Sequence, residues 1–122
     1  MSTAVLLKWK DLPKDFPMPK LSRQRLVGEK MMLSRVFLER GCVVPMHSHE
    51  NEQFACVLQG KLRFDVQDLK TAEKRTIDVT VGEILVLPPN VSHSATAIED
   101  TLVLDVFSPP SQTTGVDVKP RN

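Results

Sequence analysis

The chain contains only three histidines, and two of them stand one residue apart, as His47-Ser48-His49. In a β-strand, residues i and i+2 point to the same side, so these two imidazoles would face one point. Imidazole is the commonest side-chain ligand for transition metals in proteins. The third histidine, His93, follows a Pro-Pro-Asn turn, and Gln53 lies four residues after His49. Two interpretations are open here: a metal site, or unrelated surface histidines, which is the commoner origin of an isolated H-x-H.

Asp105 is a second residue that could do chemistry, because it interrupts the apolar strand LVLDVF. In such a strand Asp105 shares one face with Val103 and Phe107. A carboxylate is costly to bury without a partner or a purpose. The sequence therefore allows either an aspartate paired with a buried arginine or hydroxyl, or a desolvated acid or base that works near neutral pH beside a cation.

The elements that must position these residues are short strands separated by turns. Residues 61–67 and 76–81 alternate between apolar and polar side chains, residues 84–87 are apolar on both faces, and residues 31–39 and 102–107 are also strand-like. Short strands at even spacing with turn residues between them predict an all-β sandwich or barrel.

The two ends of the chain differ from this strand-rich region. Three prolines in residues 11–20 exclude a helix interior there and predict an extended arm. A length of 122 residues is typical of one domain. We therefore expect an N-terminal arm over residues 1–24, a single barrel domain over residues 25–108 and a loose C-terminal tail over residues 109–122.

The composition restricts the partners. The net charge is +1, and Lys and Arg are scattered along the chain, which argues against nucleic acid or an anionic membrane surface as the main partner. The first apolar run, Ala4–Leu7, is too short for a secretory signal, and no run approaches the length of a membrane span. We therefore expect a cytoplasmic protein.

The residues around the histidines resemble the two sequence motifs of the cupin family. The first motif is G-x5-H-x-H-x3–4-E-x6-G. This chain matches it from Gly41 through the two neighbouring histidines and Gln53 to Gly60, with Gln53 in place of the usual Glu. The spacing is in register throughout.

The second motif, G-x5-P-x-G-x2-H-x3-N, is matched from Gly82 through Pro88 to His93. Asn90 stands where the motif has a glycine, and Ala97 where it has an asparagine. Asparagine tolerates positive φ better than most other residues, so the turn can form with Asn90 in place of the glycine.

The resemblance implies a single cupin jelly-roll β-barrel that holds one divalent metal ion, such as Zn, Ni, Mn or Fe. The family's ligand positions map onto His47, His49, Gln53 and His93. Because Gln53 is uncharged, this shell is neutral and the ion keeps its full +2 charge. We expect this to favour an anionic ligand and to weaken the hold on the metal.

The strings HSHxxEQ, PPNVxH and LDVFSPP are similar to those of the small cupins of pectin and alginate breakdown. That group includes the enzyme that linearises 4,5-unsaturated monouronates. The resemblance implies a catalytic role for Asp105, a substrate-binding role for Phe107 in the pocket wall, and a small sugar acid whose ring opens or tautomerises. Ser111 stands where such sequences often carry a substrate-binding arginine, which leaves the exact substrate open.

Two other functions are compatible with these residues. One is a non-catalytic, metal-dependent module that binds a sugar or another small molecule. The other is an oxidative cupin that uses Fe(II) and O2, although such enzymes more often have a facial triad or three histidines with a glutamate, and Gln53 fits neither.

The outer faces of two strands predict an interface. If Gln53 and Asp105 face the barrel interior, the alternate residues of their strands form an apolar outer surface, which comprises Phe54, Cys56, Leu58, Leu102, Leu104 and Val106. A surface of this kind usually marks a partner, so we expect a homodimer, unless the proline-rich arm covers it. Arg35 would meet a ligand carboxylate if its strand turned it inward, but the parity of that strand is ambiguous.

Overall fold

The computed structural model describes residues 3–117, which form ten β-strands and two short 3-10 helices. The strands are β1 (Lys14–Met18), β2 (Leu21–Val27), β3 (Met32–Leu38), β4 (Val43–His47), β5 (Glu52–Gln59), β6 (Lys61–Gln67), β7 (Lys74–Thr80), β8 (Ile84–Leu87), β9 (Ser92–Ala97) and β10 (Thr101–Ser108). The 3-10 helices cover Trp9–Asp11 and Gly115–Asp117. In this part of the chain no helix has the length and apolar character needed to cross a membrane.

The strands form two antiparallel sheets around one core. The larger sheet has six strands in the order β1-β2-β3-β10-β5-β8, and the smaller has four in the order β4-β9-β6-β7. From β3 to β6 and from β7 to β10 the chain passes back and forth between the sheets. The apolar residues of both inner faces form one buried cluster. The predicted all-β jelly-roll barrel is therefore confirmed.

Alternation along the strands determines which side chains reach the interior. In β6, Leu62, Phe64 and Val66 are buried, whereas Arg63 and Asp65 between them are exposed. The same period of two buries Val103 and Phe107 of β10 on the face that also carries Asp105. The inner face of the barrel is thus mostly apolar, and the candidate site residues lie on it.

The N-terminal segment belongs to the larger sheet. β1 pairs with β2, and β2 pairs with β3 along its whole length, so the expected boundary between residues 24 and 25 falls inside β2. Before β1, the chain crosses the outer face of β2, where the Gln24 side-chain amide donates to the carbonyls of Trp9 and Leu12 at 2.6 and 2.9 Å.

The backbone conformation of two turns explains which residue types occupy two positions of the cupin motifs. Asn90 replaces the usual glycine and adopts a φ of 68°, a left-handed conformation that asparagine tolerates. Gly60 has a φ of 86°, and a Cβ added there would lie 2.2 Å from the carbonyl oxygen of Asp100. A side chain at position 60 would therefore push apart the two loops that join β5 to β6 and β9 to β10.

The outer face of the larger sheet is apolar and exposed at its β5–β8 end. Phe54 and Leu58 of β5 and Ile84 and Val86 of β8 point outward, and each is at least 40% exposed. β10 lies beside β5, as expected. The N-terminal segment contacts the opposite end, at β2 and β3, so these four side chains remain uncovered by it.

Candidate metal centre and pocket

The fold brings the three histidines together. His47 ends β4, His93 lies directly opposite it in the neighbouring strand β9, and His49 follows in the loop that leads into β5. One ring nitrogen from each lies within 4.8 Å of the others, a spacing that could hold a metal ion. The three histidines therefore form one cluster in the fold, and the metal site stays a prediction.

The backbone fixes how each ring is turned. The Nδ1 atom of each histidine faces a carbonyl oxygen two residues away: Pro45 for His47 at 2.7 Å, Asn51 for His49 at 3.0 Å and Val91 for His93 at 3.0 Å. A carbonyl can only accept, so each Nδ1 carries the proton and donates. In the neutral ring, Nε2 then keeps its lone pair free for a metal.

Burial favours the neutral form of His93 and His47. Desolvation, opposed by the bond to the Val91 carbonyl and reinforced by the neighbouring His47, lowers the pKa of His93 to about 4. Desolvation also lowers the pKa of His47. At neutral pH both rings are therefore uncharged, the form that binds metal.

Gln53 lies against the cluster and supplies an observation that fits a cation. Its side-chain amide donates from Nε2 to Asp105 Oδ1 at 3.0 Å, which turns its Oε1 toward His49 Nε2 at 3.1 Å. Because Nδ1 of His49 donates to the Asn51 carbonyl, the Nε2 lone pair faces the lone pairs of Gln53 Oε1. A cation bound between the two atoms removes this repulsion, so the donor set fits a metal ion.

Asp105 lies in the larger sheet beside Ser34 of β3 and Ala55 of β5, and it lines the cavity. Desolvation, partly offset by the hydrogen bond from Gln53, raises the pKa of its carboxyl to about 7. In the described part of the chain no arginine or hydroxyl pairs with it. Its environment is thus that of an acid or base near neutral pH rather than that of a charge held by a salt bridge.

The cavity is small, at about 50 Å3. The metal-site residues His47, Gln53 and His93 line it together with Asp105, and the rest of its wall is mostly apolar. Phe107 is buried in that wall, with its ring centroid 5.7 Å from that of His49.

The C-terminal segment covers this cavity, whereas the sequence led us to expect a loose tail. Residues 112–117, here called the strap, include the second 3-10 helix, and Thr114, Gly115 and Val116 line the cavity. A Cβ added to Gly115 would lie only 1.8 Å from His47 Nε2. Residues 118–122 of the expected tail lie outside the described residues.

Arg35 lies on the outside of the barrel. Its guanidinium is 5.8 Å from the centre of a Trp9 ring and donates to Gln24 Oε1 at 3.3 Å. Ser34 and Val36, its neighbours in β3, are the residues that line the cavity. A contact between Arg35 and a ligand in the cavity is therefore excluded.

Sequence reasoning also missed several residues of the site. Asn51 is fully buried, accepts from His49 through its carbonyl, and donates from its side chain to the carbonyl of Pro109. Arg23 is buried and binds Asp117 of the strap. Their local signals were weak, because an asparagine in a turn and an arginine in a strand are both ordinary.

The family of the chain follows from a direct comparison. The profile of the cupin domain matches residues 34–107, which is more than half of the chain and includes every candidate ligand and Asp105. The chain is a cupin. Among curated proteins, this cupin matches an acireductone dioxygenase of Puccinia graminis f. sp. tritici at 37% identity over 57 residues. The match covers 47% of the cupin and 32% of the relative, so the chain spans about a third of that protein's length.

Solved structures extend the likeness to nearly the whole cupin. KdgF from Halomonas sp. is 28% identical, covers 90% of this cupin and 97% of its own chain, and superposes with a TM-score of 0.78. An RmlC-like cupin from Shewanella frigidimarina is 21% identical with the same TM-score, covering 90% of this cupin and 95% of its own chain. An oxalate decarboxylase variant from Bacillus subtilis is 19% identical with a TM-score of 0.80, and the match covers 93% of this cupin and 32% of the decarboxylase chain. The last two support the fold alone.

Proposed function

We propose that this cupin is a metal-dependent enzyme of the isomerase or lyase type that opens or tautomerises the ring of a small sugar acid, such as a 4,5-unsaturated uronate. The hydrogen bond between Gln53 and Asp105 carries the proposal, because it joins a desolvated carboxylate to the histidine cluster inside one cavity. The likeness to KdgF and the motifs shared with the uronate-linearising cupins support the choice of ligand.

His47, His49, His93 and the Oε1 atom of Gln53 would hold one divalent ion, of Zn, Ni, Mn or Fe. When bound, such an ion acts as a Lewis acid on an oxygen of the ligand. Gln53 then has two functions, since its oxygen faces the ion and its nitrogen positions the Asp105 carboxylate.

Asp105 would move the proton that this isomerisation requires. As the base, its carboxylate takes the proton from the anomeric hydroxyl, the C1–O5 bond breaks, and C1 becomes a carbonyl. The released enolate then receives a proton at C4, where Asp105 acts as the acid and regains its starting form. No net proton is consumed. Phe107 would form the apolar wall that keeps water from the enolate.

The proposal is tested by turnover. We expect the metal-loaded protein to remove the ultraviolet absorbance of a 4,5-unsaturated monouronate, to lose this activity after a chelator, and to recover it when the metal returns. Saturable binding of the uronate without any loss of absorbance would instead identify a metal-dependent binding module. If the uronate neither binds nor reacts, the sugar-acid function is wrong.

A second function is favoured by one comparison. The partial match to an acireductone dioxygenase supports an oxidative cupin, whose metal would be Fe(II) in the same site. Oxygen consumption by the Fe(II)-loaded protein, measured with an oxygen electrode over a panel of enediols and sugar acids, separates this function from the first. An isomerase consumes no oxygen.

Two further expectations remain proposals about partners and location. We propose that a second copy of the chain covers the exposed apolar residues of β5 and β8, because isolated apolar surfaces of this kind usually mark an interface. A cytoplasmic location remains a prediction.

A further inference from the structure

The strap lies flat on the imidazole of His47. A Cβ at Gly115 would be 1.8, 2.0 and 2.2 Å from Nε2, Cε1 and Cδ2 of that ring. Because these three distances are nearly equal, the added atom would sit over the face of the ring and not along the direction in which Nε2 points. The strap therefore covers the histidine without blocking its lone pair, and only glycine fits at this position.

The cavity below the strap is too small for a sugar acid. Its volume of about 50 Å3 is room for one or two water molecules, whereas sites for small organic ligands usually measure roughly 300 Å3 or more. A larger cleft of about 470 Å3 lies outside, lined by Pro13, Lys14, Asp15, Arg25, Val27 and Gln112. Gln112 of the strap lines this cleft, and Thr114, Gly115 and Val116 of the strap line the cavity, so the strap borders both.

Charged contacts from β2 hold the strap in place. Arg23 donates two hydrogen bonds of 2.9 Å to the carboxylate of Asp117 and two of 3.1 and 2.6 Å to that of Asp15. Arg25 donates to the carbonyl of Gln112 at 2.9 Å. Burial opposes the charge of Asp117, but the bonds from Arg23 and from the Thr114 backbone hold the pKa of its carboxyl below its usual range. Asp117 is therefore a carboxylate at neutral pH.

The charges around Arg23 would also be balanced if another anion took the place of Asp117. Arg23 and Arg25 are balanced by Asp15 and Asp117, and Arg23 is only 2% exposed. When Asp117 leaves, the buried guanidinium of Arg23 keeps only Asp15, and the group of two arginines and one carboxylate is left with a net positive charge that burial disfavours. A ligand carboxylate has the same two-oxygen geometry as Asp117 and restores the balance. Among residues 3–117, no lysine or arginine lines the cavity itself.

We propose that Arg23 and Arg25 form a carboxylate-binding subsite beside the metal pocket, which Asp117 of the strap occupies until an anionic ligand displaces it. Ligand binding and strap opening are then coupled, since both compete for the same guanidinium. The identity of the ligand as a sugar acid rests on the proposed function, whereas the subsite for a carboxylate does not.

Chemical rescue tests the subsite. Asp117→Ala removes the carboxylate and leaves its space empty, so we expect the variant to melt at a lower temperature than the wild type. Acetate, which is the aspartate side-chain carboxylate alone, should raise the melting temperature of the variant by about 5 °C once it is tenfold above its dissociation constant. Acetamide has the same shape without the charge and should have no effect.

The wild type should not respond to acetate, because its own Asp117 fills the site. Asp78→Ala is the matched control: Asp78 also accepts two bonds from one arginine, Arg63, but on the exposed face of β6 and β7. If acetate and acetamide act alike on Asp117→Ala, or if Asp78→Ala responds to acetate as strongly, the subsite is wrong.

Calorimetry with galacturonate, a saturated sugar acid, then tests the coupling. Asp117→Asn keeps the strap's shape but competes less well for Arg23, so it should bind galacturonate about tenfold more tightly than the wild type, and a further Arg25→Gln change should abolish this gain. Neutral galactose should show no difference among the three proteins. Equal or weaker binding of galacturonate to Asp117→Asn would refute displacement of the strap. Rescue by acetate with no galacturonate binding to any protein would support the subsite and contradict the sugar-acid function.

Discussion

Asp105→Asn tests whether this side chain moves protons or only fills space. The asparagine has nearly the same shape, and its Oδ1 can still accept the hydrogen bond that Gln53 donates at 3.0 Å. It cannot exchange a proton at neutral pH. Metal content and fold should therefore persist in the variant, while any reaction that needs the carboxylate should fail.

For the metal-free protein, the size of the expected change in stability follows from the pKa of Asp105. The folded protein raises it from 3.8 to about 7, and about three units correspond to at most about 4 kcal/mol between the two protonation states. Because the folded state binds the proton more tightly than the unfolded state, wild-type stability is highest below pH 4 and falls as the pH rises to 7, as far as this group is concerned. The asparagine has no such dependence. Above pH 7, Asp105→Asn should therefore unfold at a higher temperature than the wild type.

The activity should change in the opposite direction. Loss of a general acid–base group lowers turnover by roughly 100-fold or more. Ultraviolet absorbance of the unsaturated uronate and thermal unfolding can be followed on the same preparation, with Asp65→Asn as a control for an exposed aspartate bonded to Thr76. A metal-loaded Asp105→Asn protein with full activity, or one destabilised at pH 8 with an unchanged rate per folded molecule, would show that the carboxylate only anchors its neighbours.

Three further predictions concern the metal and the assembly. Elemental analysis of protein purified without a chelator should find up to about one Zn, Ni, Mn or Fe per chain; a protein that stays metal-free after loading with each of these ions would contradict the site. Gln53→Glu adds a carboxylate to the shell, so metal should bind at least about tenfold more tightly, while the second negative charge beside Asp105 raises its pKa further and moves the pH optimum upward; unchanged affinity would argue that residue 53 is not a ligand. Light scattering should show a dimer, with an interface of at least ~1,000 Å2, which Phe54→Asp disrupts and Leu69→Asp, at an exposed residue in the turn between β6 and β7 of the smaller sheet, does not; a monomeric wild type at micromolar concentration would refute the interface.

The features of the structure that could be predicted are those that depend on short stretches of the sequence. The alternation in residues 61–67 predicted β6 and its buried face, because strand periodicity is a local property. The cupin motifs correctly placed the histidines together, even though His47 and His93 meet across two strands far apart in the chain. The conformation of Asn90 was also foreseen from its position in the turn.

The remaining features depend on contacts that no short stretch encodes. Arg35 could not be oriented because β3 has apolar residues on both faces: its inner face joins the core and its outer face belongs to the exposed side of the sheet. The strap has no apolar periodicity, and its position depends on Arg23, which lies 94 residues before Asp117. The buried Arg23 holds the strap, and Gly115 of the strap lies over His47. This relation is visible only in the folded structure.

The orientation of the three histidines by carbonyls two residues away has a consequence for metal exchange. Each ring is held by its own segment of backbone, so the entropy cost of aligning the rings is incurred on folding and not on ion binding. We expect such a protein to stay folded without its ion, unlike small domains that fold only around their ion. One preparation can therefore be emptied and refilled with each ion in turn. The ion that the proposed site holds would then be selected by its supply as much as by the chain.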